Sequence, residues 1–179
     1  MKKILLLLII IATFNLSFSS FAGEKSRYTN QTYRNSGYRG NVNFTNHIAV
    51  WFGLETSHGY MFDSKNYIGG GAAFFTTPFS DDFPMFGNVF GEYQRYFKNK
   101  RSTPTTGLKA GYCLALKDLS GNTFDKAVTL EPRIGWEWAQ NDKFGLNLNI
   151  GFPLYFYKNY PNSHVRTVFM PMLSFGFVF

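Results

Sequence analysis

The stretch PMLSFGFVF, residues 171–179, decides how the rest of the chain is read. Leu173, Phe175, Phe177 and Phe179 fall on alternate positions, with Met172, Ser174, Gly176 and Val178 between them. A period of two is that of a β-strand, here with one broad apolar face and one face of smaller residues. At the edge of a soluble sheet such a strand would be a template for aggregation. Paired with a first strand and turned toward lipid it is well placed, because a sheet that spans a membrane has to close into a barrel.

The same period runs upstream. Residues 144–157 alternate Leu146, Leu148, Ile150, Phe152, Leu154 and Phe156 with Asn147, Asn149, Gly151 and Tyr155. Residues 127–139 alternate Val128, Leu130, Pro132, Ile134, Trp136 and Trp138 with Thr129, Glu131, Arg133, Gly135 and Glu137. Further strands are predicted at 105–116, 84–97, 67–76, 49–62 and 37–46, and the C-terminal strand at 167–179. Within 67–76, Gly69–Gly71 leaves the facing open and marks either curvature or room for a bulky neighbour. Eight strands, each near the ~10 residues a tilted strand needs to span, predict an all-β fold: an eight-stranded antiparallel up-and-down transmembrane β-barrel over 37–179. Connections after the second, fourth and sixth strands are tight turns, and those after the third, fifth and seventh are longer. The first, near 46–49, breaks that rule if it is as short as its composition suggests. Short turns then mark the periplasmic side and long loops the outside.

The start of the chain predicts export. Lys2 and Lys3, an apolar run from Ile4 to Ala12, and small residues at Ser20 and Ala22 describe a signal peptide over 1–22, cleaved after Ala22. The rival, a membrane anchor, falls well short of the ~20 apolar residues of a spanning helix. Residues 23–36 are polar and aperiodic, and are expected to be a flexible periplasmic lead-in. Aromatic residues make up 20% of the chain and charged ones 16%, against about 25% charged in a soluble domain. The net charge of +7 falls to +5 without Lys2 and Lys3. Its scatter, in an exported chain, argues against nucleic acid as a partner. Cys113 is the only cysteine and cannot form an intramolecular disulfide.

The polar faces carry Arg39, Glu55, Glu92, Lys109, Glu131, Arg133 and Glu137, four acids and three bases. An eight-stranded barrel is only wide enough to be filled by its own side chains. Buried charges must be paired, so these seven are expected to form a salt-bridge network across the lumen, in preference to an ion path. Trp136, Trp138, Tyr93, Tyr96, Tyr155 and Tyr157 lie near strand ends and are expected to form interfacial girdles. Loop aromatics such as Phe79, Phe83, Phe124 and Tyr160 offer a weaker, carbohydrate-stacking alternative.

Candidate chemistry is sparse. His47, His58 and His164 show no metal-ligand spacing, and neither metal nor cofactor is expected. Ser57-His58 and Ser163-His164 are adjacent pairs, and neighbours on a strand point to opposite faces, so neither makes its own dyad. A rim hydrolase would need Ser163, His164 and an acid such as Asp81, Asp82 or Asp125 to converge. No catalytic residue is assigned.

TSHGY at 56–60, YIGGG at 67–71 and KFGLNLNIG at 143–151 resemble the small outer-membrane β-barrel domain proteins of Gram-negative bacteria, over 37–179. The terminal strand, with Phe175, Phe177 and Phe179, resembles the signal read by the outer-membrane assembly machinery. The resemblance implies an inserted monomeric barrel in the bacterial outer membrane. Its partners would be lipid and lipopolysaccharide, with the assembly machinery during biogenesis, and it implies no assigned activity. The leading expectation is a structural or surface-interaction role around a filled lumen. The alternatives are a rim hydrolase modifying lipid A and a narrow small-solute transporter.

Overall fold

Alternation in sequence becomes alternation in burial along most of the sheet, residues 165–169 excepted, which are exposed at nearly every position. The structure, a computed structural model, describes residues 33–48, 50–77, 84–116, 126–158 and 164–179. The predicted signal peptide, residues 23–32 of the lead-in, and the loop residues Phe79, Asp81, Asp82, Phe83, Phe124, Asp125, Tyr160 and Ser163 lie outside the described residues.

The strand segments are β1 (Gly37–His47), β2 (Trp51–Met61), β3 (Asn66–Thr76), β4 (Met85–Tyr96), β5 (Ser102–Ala115), β6 (Lys126–Ala139), β7 (Gly145–Gly151), β8 (Leu154–Lys158), β9 (Val165–Phe169) and β10 (Met172–Val178). Segments β1 to β6 pair in order, all antiparallel. Both β7 and β8 pair with β6, β9 pairs with β8, and β10 pairs with β7 and β1. Segments β7 and β8 therefore form one wall and β9 and β10 another, and the sheet closes as an eight-stranded barrel. At the seam Asn41 faces Val178 and Asn46 faces Leu173. The Phe179 N–H donates to the Gly40 carbonyl at 2.9 Å, and the Gly40 N–H donates back at 2.6 Å.

The last two predicted strands are each split, and proline is the reason. Pro153 and Pro171 occupy the gaps, and a residue without an N–H cannot donate to a ladder. The walls stay joined through Phe152 N–H to the Pro132 carbonyl (2.9 Å) and Met170 N–H to the Pro153 carbonyl (3.2 Å). At the other end of the seam, β1 stops at His47 and the chain turns back at once into β2. Ile48 takes a φ of 33° in that turn, a left-handed conformation uncommon for a β-branched residue. The first connection is thus as short as its composition suggested, and β9 is hydrogen-bonded to β8 alone among the described strands.

The outward face is apolar. Val42 is 42% exposed, Val128 54% and Leu54 61%, a continuous apolar surface of the kind that faces lipid in a closed barrel. Tyr93, Trp136 and Trp138 belong to this outer face; Tyr93 and Trp136 are exposed. The other three expected girdle residues do not belong to it. Tyr96 and Tyr155 are buried inward, and Tyr157 packs against the interior cluster. The pleat decides: Tyr96 shares the parity of Glu92 and Gln94, and Tyr155 that of Asn147 and Asn149. In β3 the inward glycines leave space for rings. A β-carbon at Gly71 would stand 2.7 Å from the Phe90 ring.

Candidate functional site

The lumen is built in layers, and its lowest layer, beside the termini and tight turns, centres on Glu137 of β6. Arg39 of β1 reaches its Oε1 at 2.6 Å and Arg34 at 2.8 Å. Arg34 comes from the end of the expected lead-in. Its Nη1 donates to the Lys100 carbonyl at 2.7 Å, and its backbone N–H to Asn99 Oδ1 at 3.0 Å. Asn99 Nδ2 donates back to the Arg34 carbonyl at 3.2 Å. The β4–β5 turn therefore clamps Tyr33 and Arg34 over the barrel mouth. Both guanidinium groups lie against the Tyr96 ring, 5.0 and 5.6 Å from its centroid, a cation–π arrangement.

The central layer holds the other five expected charges. Lys109 of β5 pairs with Glu55 of β2 and stands 3.6 Å from Glu92 of β4. Arg133 of β6 pairs with Glu131 on its own strand, and lies 3.5 Å from Glu55 and 3.9 Å from Glu92. Polar neighbours take up the remaining oxygens. Ser57 donates to Glu92 and shares a 2.8 Å hydrogen bond with the Tyr67 hydroxyl. Asn43 donates to Glu55 at 3.1 Å. All seven charged residues read from the polar faces are buried inside the barrel, and the structure adds an eighth. With Arg34 the tally is four acids and four bases, so the described lumen charges sum to zero. A like-for-like balance suits a site where an unpaired charge costs several kcal/mol. No periodicity marks Arg34 in the sequence; its role follows from the turn that captures it.

Above this layer the interior changes character. The Phe90 ring lies 4.1 Å from Lys109 Nζ and caps the charges. Beyond it Ala73, Phe75, Phe86, Cys113, Ala127 and Tyr155 form a buried apolar cluster, joined by Trp51, Val168 and Met170. A pocket at this end, about 350 Å³ with its open mouth included, is lined by His47, Trp51, Phe75, Phe86, Cys113, Tyr155 and Met170. The rings pack edge to face: Trp51 on Phe86 at 4.7 Å, His47 on Phe75 at 4.8 Å. The signal for this layer was in the parity of Phe86, Phe90 and Cys113, which fall on the inward faces of β4 and β5.

The histidines do not converge. His47 is inside, His58 is on the outer face, bonded to the Tyr38 hydroxyl at 2.6 Å, and His164 is exposed. Ser57 points into the lumen while His58 points out, so this pair forms no dyad. No cluster of three or more metal-ligating side chains occurs among the described residues. Ser163 and its three candidate acids lie outside the described residues.

No protein-family model matches the chain, and no curated protein matches it in sequence. Solved structures do match in fold. The crystal structure of Neisserial surface protein A aligns with a TM-score of 0.55 at 14% identity, over 79% of this chain and 92% of that one. The outer membrane protein OprG from Pseudomonas aeruginosa aligns at 0.54 and 13% identity, over 83% and 98%. The N-terminal β-barrel domain of Pseudomonas aeruginosa OprF aligns at 0.52 and 10% identity, over 82% and 98%. Closed pairing, an apolar outward face and this likeness agree: the chain has the fold of the small eight-stranded outer-membrane barrels.

Proposed function

We propose that the chain serves a structural or surface-interaction role in the outer membrane, as a monomeric barrel whose lower lumen is closed. One observation carries this reading: the neutral set of four acids and four bases that fills the interior from Glu137 to Glu55. A barrel plugged this way exchanges with its surroundings through its faces and its outer end. Its apolar belt meets lipid and lipopolysaccharide, and its outer connections meet partners. No residue is assigned a catalytic role.

Planar-bilayer recording tests the plug. The full chain should give no conductance above the bare bilayer, and steady single-channel steps from the wild-type protein would replace this reading with that of a small-solute transporter. Phe175, Phe177 and Phe179 are proposed to address the chain to the assembly machinery. Deleting Phe179 removes the two hydrogen bonds with Gly40 as well as the last outward ring. The truncated chain should still be exported and should reach the outer membrane in sharply reduced amount, scored by heat-modifiable gel migration of membrane fractions. Normal levels of folded protein would rule out the address.

A further inference from the structure

We propose that the end of the barrel that carries the termini and tight turns is a docking surface for anionic phospholipid, its basic side chains binding the headgroup phosphates of the surrounding leaflet. The inference rests on the reading of the apolar belt as lipid-facing. Charge is segregated along the barrel. The lumen sums to zero. The long connections, residues 77–84, 116–126 and 158–166, hold four bases and four acids in sequence. The tight-turn segments, residues 62–65, 95–101 and 140–144, hold Lys65, Arg95, Lys98, Lys100, Arg101 and Lys143 against Asp63 and Asp142. Nearly all of the +5 that remains without Lys2 and Lys3 therefore sits at one end. Apart from Arg101 these bases are exposed, and none of the exposed ones is joined in an ion pair among the described residues. Asp63 is turned to the donors of its own turn.

Each tight turn also carries an exposed ring beside its bases. Phe62 shares a turn with Lys65, and Phe97 and Phe144 are the immediate neighbours of Lys98 and Lys143. Tyr60 lies 6.2 Å from Phe62, and Phe144 stacks on Phe177 of β10 at 5.8 Å, so the outer belt continues unbroken into the turns. Aromatic rings settle where acyl chains meet headgroups. A lysine beside such a ring lays its stem along the apolar surface and holds its ammonium at the level of the phosphates. Charge complementarity then selects the lipid. A zwitterionic headgroup brings its own ammonium and leaves the basic end unneutralised, whereas phosphatidylglycerol brings a phosphate and no cation. A soluble acidic polymer would meet the lysines and leave the rings without a use.

The test uses the full mature chain in nanodiscs of phosphatidylcholine mixed with phosphatidylglycerol. Trp136 and Trp138 pair with Pro104 and Ser102 beside the β4–β5 turn and report the lipids at this end, while Trp51 packs against the interior rings. Lipids brominated near the head of one chain quench a tryptophan they touch, so quenching by each labelled lipid gives their relative affinity for the rim. Wild type should prefer phosphatidylglycerol about threefold or more at low salt, and the preference should vanish in 1 M salt. Lys65→Gln, Lys98→Gln, Lys100→Gln and Lys143→Gln together should abolish it and leave quenching by phosphatidylcholine unchanged. Lys126→Gln, Lys158→Gln and Arg166→Gln, at the opposite end, should leave it intact. Equal affinity in wild type overturns the docking surface, as does a preference that survives the first set or is lost with the second. Excess glycerol phosphate should not displace the lipid; displacement would assign the bases to a free phosphate and overturn the lipid. Heat-modifiable migration in pure phosphatidylcholine shows which variants fold. A wild-type chain without that shift overturns the barrel reading itself, whereas a folded barrel without a preference removes the docking surface alone.

Discussion

The two halves of this lumen are lined by the same strands and obey opposite rules. Near the termini β4 turns Glu92 and Gln94 inward; a few residues away, at the same parity, it turns Phe86 and Phe90 inward. Strand β5 does the same with Lys109 and Cys113. The charged half is held by ion pairs that reach across the barrel from β1, β2, β4, β5 and β6. The apolar half is held by rings and leaves a recess. The difference teaches where specificity lies. A charge network tolerates almost no missing member, because each partner left behind is a buried charge. A ring cluster tolerates space.

The sharpest way to break that comparison is Arg133→Met. It removes the base that Glu131, Glu55 and Glu92 share and leaves Lys109 to face the carboxylates. Breaking a buried pair by removing one partner costs about 3–5 kcal/mol. Urea unfolding in phosphatidylcholine vesicles should show a loss of that size. A loss under about 1 kcal/mol, the level of an exposed pair, would mean that water reaches these charges and that the lower half is not closed.

Phe86→Ala tests the other half. Truncating a buried Phe costs about 3–5 kcal/mol when a sealed cavity is left. Here the ring borders a recess that is already open, so the loss should be about 2–3 kcal/mol, below that of Arg133→Met in the same assay. A larger loss than Arg133→Met would invert the comparison and make the ring cluster the main support of the barrel.

The sequence carried most of the wall and part of the lining. Strict alternation places Leu54, Val128 and Phe177 outward, and Glu55, Lys109 and Arg133 inward, because the pleat leaves no other choice. Proline was legible as a residue but its effect was not: Pro153 and Pro171 split two walls only because of their positions in neighbouring ladders. Tyr96 and Tyr155 were read as girdle residues by their nearness to strand ends, while their parity already placed them inside. Arg34 left no trace in any pattern. It is positioned by Asn99 and two turn carbonyls more than sixty residues away in sequence, and contacts of that kind exist only after the sheet has closed. The recess depends likewise on rings from β1, β2, β3, β4 and β8 meeting at one height.

The smallest expected effect comes from a carboxylate at the same end as Glu137 but in water. Asp63 closes the β2–β3 turn. Its Oδ1 accepts from the Lys65 and Asn66 N–H groups at 2.6 and 2.7 Å, and its Oδ2 accepts from the Asn66 amide at 2.8 Å. The Asn66 side-chain bond, with the Lys65 backbone N–H behind it, holds the Asp63 carboxyl below its usual range. A group whose pKa is depressed on folding adds stability above its unfolded pKa and loses it as pH falls through the folded value. Asp63→Asn keeps an oxygen for the backbone bonds and removes the charge together with the oxygen that accepts from the Asn66 amide. The variant should therefore unfold slightly more easily than wild type at pH 7 and should match it once the medium is well below the ordinary Asp value of about 3.9. Because the group is fully exposed, solvent and salt screen its charge, and the difference at pH 7 should shrink further in 1 M salt. A pH-independent gap would trace the effect to turn geometry instead of charge. A gap as large as that of Phe86→Ala would mean that exposed and buried carboxylates in this barrel are held alike.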